Sequence, residues 1–114
     1  MQATELENAR CVPRKGKEHA LDQRQIRTAL AIVSGWQLTA DGLGIHKQFR
    51  FPDFHHTMAF VNAVAWIAHV EDHHPDFKVS YPSCELHFST HDVGGISLND
   101  FICAAKVERL VAKG

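Results

Sequence analysis

With 114 residues, 45% of them apolar and 22% charged, the chain has material for one hydrophobic core and not for two. Its 12 basic and 13 acidic residues leave a formal charge of -1, which excludes the cationic footprint that binding to nucleic acid or to an anionic membrane surface requires. No apolar stretch approaches the roughly 20 residues of a membrane-spanning helix, and Met1 to His19 is charged throughout, so the protein is expected to stay in the cytoplasm where it is made.

Residues 1–17 end in the polar, turn-rich run Cys11-Val12-Pro13-Arg14-Lys15-Gly16-Lys17 and are expected to form a loosely ordered lead-in to a single domain over 18–114. Asp22 and Gln25 have the spacing of a capping box. Ile26, Ala29, Leu30 and Val33 then recur at helical spacing until Ser34-Gly35. Two alternating runs follow, Trp36 to Thr39 and Ile45 to Phe51. The glycines and aspartate between them suit a hairpin, so the two runs should pair antiparallel. From Asp53 to about Asp72 the period becomes helical, with Phe54, Met58, Val61, Ala65 and Ala68 in one stripe broadened by Phe60, Val64 and Ile67. Pro75 disfavours helical backbone at His74, so this helix should end at the His73-His74 pair.

Phe77, Val79 and Tyr81 alternate, Pro82-Ser83 turns the chain, and Cys84 to Thr90 forms the returning strand. Cys84, Leu86 and Phe88 point to one face of that strand and Glu85, His87, Ser89 and His91 to the other. Ser97 and Asp100 open a last helix with the stripe Phe101, Ala104, Val107 and Val111. The expected fold is α+β, in the order α-β-β-α-β-β-α: a four-stranded antiparallel sheet with three helices on one face, and Phe54, Met58, Val61 and Ala65 buried beneath Leu86 and Phe88. Its uncovered sheet edge and polar face predict a homodimer or homotetramer. Cys11, Cys84 and Cys103 are odd in number and lack C-x-x-C spacing, which fits reduced thiols better than a disulfide framework or a zinc site.

The reactive groups concentrate in Glu71-Asp72-His73-His74-Pro75 and Ser89-Thr90-His91. Three imidazoles with no obvious nucleophile point to proton transfer, because histidine gives and takes protons near neutral pH. Asp72, beside the pair, is placed to hold an imidazole in one tautomer.

The stretch His69 to Pro75, with Tyr81, Ser89-Thr90-His91 and Asp100, resembles the signature of the pterin-4a-carbinolamine dehydratases. The likeness runs from the first helix to the C-terminus and takes in Gly35-Trp36 and Lys47-Gln48-Phe49. It implies removal of water from 4a-hydroxytetrahydropterin to give quinonoid dihydropterin, in tetrahydropterin recycling, with no metal or other cofactor. By position it implies His73, His74 and His91 as the catalytic histidines. Pterin contacts would come from Trp36, Asp72, Pro75, Ser89, Thr90 and Asp92, with Asp100 as a supporting carboxylate. His69 stands where several members carry glutamate, which changes the charge facing the pterin ring. Read from residues alone, Trp36 is a core side chain and Asp100 a helix cap. The competing functions are a histidine-based metal protein using His69 and His73, four apart on one helix face, and a non-catalytic dimerisation partner of the same fold.

Overall fold

In the computed structural model, which describes residues 1–112, the chain opens with a short helix, α1 (Ala3–Asn8). Leu6 of α1 is buried, and the helix packs on the C-terminal helix, whose Lys106 ammonium donates to the Glu7 carbonyl at 2.8 Å. A segment expected to be loosely ordered therefore carries a helix held by one apolar anchor and one cap. A 3-10 turn at Lys17–His19 leads to α2 (Gln23–Leu30). The α2 capping box is reciprocal: Gln25 N–H donates to the Asp22 carboxylate at 2.8 Å, and Asp22 N–H donates to the Gln25 side chain at 2.9 Å.

Strands β1 (Gln37–Leu38) and β2 (Ile45–Arg50) pair as an antiparallel hairpin. Helix α3 (Phe54–Glu71) follows, capped by Asp53 accepting from His56 N–H. Then come β3 (Asp76–Ser80), β4 (Ser83–Phe88), a 3-10 turn at His91–Val93 and α4 (Leu98–Ala112). The four-stranded antiparallel sheet has the order β1-β2-β4-β3, and helices cover one face of it. Ile45 pairs with Phe88, Lys47 with Leu86 and Phe49 with Cys84, which sets one alternating row into the core. His46, Gln48, Glu85 and His87 make up the opposite row. Gly44 sits at the mouth of the β1–β2 hairpin, where a side chain would meet the Phe88 carbonyl at 2.8 Å. Cys84, at the sheet centre, is a thiol whose pKa burial pushes up to about 11.

Helix α3 departs from expectation in phase and in its end. Thr57, Phe60, Val64, Ala68 and Glu71 are buried, Met58 and Val61 are half-buried, and Phe54 and Ala65 are exposed. The helix is apolar almost all round, so its periodicity admits two overlapping stripes. The phase is set by contacts distant in sequence: the Thr57 hydroxyl donates to the Tyr81 carbonyl at 2.7 Å, and the Phe60 ring packs on Phe49 and Phe51. The helix ends at Glu71, before the histidine pair, because Asp72 turns left-handed (φ 51°, ψ 44°). Pro75 is buried and leads directly into β3.

Candidate active site

The end of α3, the end of β4 and the start of α4 meet at one carboxylate. Asp100 is fully buried, and its Oδ1 lies 2.6 Å from His73 Nε2, which donates to it. Its Oδ2 accepts from the Thr90 hydroxyl at 2.8 Å and from Ser97 N–H at 3.0 Å. Since Thr90 gives its proton to Asp100, the Ser97 hydroxyl must give its own to Thr90, 2.7 Å away. Asn99 N–H then donates to Ser97 Oγ at 3.2 Å, which satisfies the helix start as well. Asp100 is thus both the cap that the Ser97 spacing predicts and the group that orients His73.

The imidazole of His73 is held on its flat side too. It stacks on Phe88 at 6.0 Å between centroids and 8° between planes, and Phe88 in turn packs on Trp36. The His73 side chain is 11% exposed, and the hydrogen bond from Nε2 to Asp100 anchors one of its two ring nitrogens.

A cavity of about 300 Å³ opens beside His73. Asp72, His73, Thr90 and Asp92, four of the residues singled out in the sequence, line it together with Cys11 to Lys15, Glu71 and Asn99. The lead-in is clamped there at two points. Glu71 accepts from Cys11 N–H at 2.8 Å and pairs with Arg10 and Lys106. Asn99 takes the Arg14 guanidinium at 2.9 Å and donates to the Val12 carbonyl at 2.8 Å. Burial opposes ionisation of Glu71, but the Cys11 amide and the two cations outweigh it, so its carboxyl lies below the ordinary glutamate value. The part played by the lead-in has no signal in the sequence, because partners some 60 to 88 positions apart leave no local pattern.

The remaining expected residues divide. His74 and His91 are exposed, next in sequence to His73 and to Thr90, but neither lines this cavity, so the expected gathering of all three histidines in one pocket is not seen there. The antiparallel register ends with Asp76 opposite His87, and beyond it the His73 ring stacks on Phe88. The His91 turn is tied by Thr90 N–H to the Gly95 carbonyl at 2.8 Å. Ser89 lines a second cavity of about 380 Å³, shared with Asp41, Asp76 and His87. His69 is exposed on α3 beside Trp66 and lies apart from these cavities. Trp36 is only 4% exposed and its indole N–H donates to Glu108 at 3.0 Å, so it supports Phe88 from within the core. Asp72 caps α3, and the carboxylate on the imidazole is that of Asp100. A larger cavity, about 640 Å³ between α2 and the lead-in, contains none of the expected residues.

Comparison with known proteins places the chain in a family. The model of the pterin 4 alpha carbinolamine dehydratase family matches residues 19–110. A Xanthomonas oryzae protein provisionally named pterin-4-alpha-carbinolamine dehydratase is 54% identical over 109 residues, covering 96% of this chain and 92% of that one. A Stenotrophomonas maltophilia protein of the same name is 55% identical over 105 residues, 92% of this chain and 90% of its own. The crystal structure of a transcriptional coactivator/pterin dehydratase from Brucella melitensis superposes with a TM-score of 0.77 at 27% identity, over 80% of this chain and 97% of that one. The chain belongs to the pterin-4a-carbinolamine dehydratase family.

Proposed function

We propose that the protein dehydrates 4a-hydroxytetrahydropterin to quinonoid dihydropterin by histidine acid–base catalysis, as a step in tetrahydropterin recycling. The observation that carries this reading is the His73–Asp100 pair, which anchors Nε2 of an imidazole that lines the cavity. The reaction breaks the bond from C4a to the hydroxyl, which leaves as water once protonated. The adjacent ring N–H gives up its proton as the C4a–N bond becomes double. Each assisted proton transfer is typically worth about 10²- to 10⁴-fold.

His73 and His74 are assigned to the proton at the departing hydroxyl, and His91 to positioning the ring and taking the complementary proton. A carboxylate on Nε2 favours an imidazole that accepts at Nδ1 and stabilises the imidazolium that results. Thr90, Asp72, Asp92, Ser89 and Pro75 are assigned to the pterin's polar edge and rim, and His69, apart from the cavities, is given no contact with the ring. Trp36 acts through Phe88, as support for the His73 ring. The odd number of cysteines and the absence of C-x-x-C spacing support a cytoplasmic setting.

The test is to generate 4a-hydroxytetrahydropterin in solution and follow its ultraviolet decay with and without protein. Acceleration in proportion to protein concentration, unaffected by a chelator, is expected. A decay equal to the spontaneous one would refute the activity.

A further inference from the structure

The open face of the sheet carries histidines that the proposed chemistry leaves unused. His46 on β2 and His87 on β4 are direct cross-strand partners, and Glu85 lies two residues before His87 on the same face. Glu85 Oε1 is 3.4 Å from His46 Nδ1, and its Oε2 is 3.2 Å from His87 Nε2. The two rings lie 5.1 Å apart, 19° from parallel, so both present a nitrogen toward the same carboxylate. All three donor atoms fall within 4.8 Å of one another, and each residue is half-buried.

We propose that His46, Glu85 and His87 form a binding site for a divalent transition-metal ion of the zinc class, on the sheet face away from the helices. Two imidazoles and a carboxylate are a ligand set suited to zinc, copper or nickel, whereas magnesium and calcium want oxygen donors. Tetrahedral zinc with ligand bonds near 2.0 Å sets its donors about 3.3 Å apart. Each imidazole nitrogen has one Glu85 oxygen at about that spacing, Oε1 for His46 and Oε2 for His87, and with one ligand atom from each residue the three lie within 4.8 Å of one another. The imidazoles bind as neutral rings and any proton on those nitrogens passes to solvent. A fourth position stays open to water or to a donor from another molecule.

The histidines of the candidate active site do not duplicate this set. His73 has one nitrogen committed to Asp100, and among the described residues the group close enough to hold an ion is that of His46, Glu85 and His87. The site is independent of the dehydratase reading and needs no pterin.

The test is a titration of the full-length protein with zinc chloride in competition with a chromogenic chelator. Wild type should bind at least one equivalent. Loss of a supporting residue around a metal typically costs about 10- to 100-fold in affinity, so His46→Ala, His87→Ala and Glu85→Gln, which remove ligands, should each weaken binding by at least tenfold. The His69→Ala/His73→Ala double variant should retain it. In wild type the imidazole NMR signals of His46 and His87 should shift on adding zinc. Absence of stoichiometric zinc, or zinc binding that survives in the His46→Ala/His87→Ala double variant, would overturn the proposal.

Discussion

Asp100 is where stability and the proposed chemistry meet. A fully buried carboxylate accepting from His73, Thr90 and Ser97 N–H leaves several groups unsatisfied if it is changed. Asp100→Asn keeps the shape but turns one acceptor into a donor facing donors, at a cost of about 1–3 kcal/mol, read as a lowered denaturant midpoint. It should also lower turnover. Combined with His73→Ala it should lower turnover no further than the worse single change, because both act through one pair. Glu71 gives a pH signature. Its carboxyl ionises below the ordinary value, so its contribution is complete above the unfolded glutamate pKa of about 4.3 and is lost as pH falls through the lower folded value. Protection of the lead-in amides, residues 3–15, taken relative to the intrinsic exchange rate at each pH, should therefore fall at acid pH in wild type. In Glu71→Gln it should already be lowered at neutral pH, whereas an unchanged lead-in would mean that Asn99 alone holds it.

At the scale of the element, the chain's local chemistry reads well and its long-range choices do not. The α2 capping box, the β1–β2 hairpin, the Cys84/Leu86/Phe88 row and the Ser97–Asp100 start of α4 all follow from residues within a few positions of each other. The phase of α3 does not, because Thr57 and Phe60 choose it through Tyr81, Phe49 and Phe51. Nor does the identity of the carboxylate on His73, since Asp72 and Asp100 differ in distance along the chain and only the fold brings Asp100 near. Sequence singles out the His73-His74 corner but neither the lead-in that walls the cavity beside His73 nor the paired histidines on the open face. Gly44 tests how tightly the hairpin abuts β4. Gly44→Ala must push against the Phe88 carbonyl, a backbone atom that cannot swing away, and should destabilise by about 1–3 kcal/mol in equilibrium unfolding. Wild-type stability in that variant would mean the hairpin yields freely.

For the whole molecule, the edge of the sheet is the unfinished surface. Among the described residues strand β3 pairs with β4 alone, and it exposes Phe77 and Val79 to 36% and 41% alongside Tyr81. An apolar strand edge of this kind is expected to be covered by a second copy in a homodimer or homotetramer. Sedimentation at micromolar concentration should show an oligomer, and Val79→Lys should shift it toward monomer without loss of secondary structure. A wild-type monomer would contradict that assembly. The account as a whole depends on the imidazoles at the corner doing the chemistry. The most direct test is the dehydration rate of 4a-hydroxytetrahydropterin by His73→Ala, His74→Ala and His91→Ala, each beside its own thermal unfolding curve. The expected result is a loss of about 10²- to 10⁴-fold for His73→Ala and His74→Ala. His91→Ala should lose both turnover and ring affinity, and the exposed His74 and His91 variants should unfold like wild type. Near-normal rates in all three variants would contradict the account.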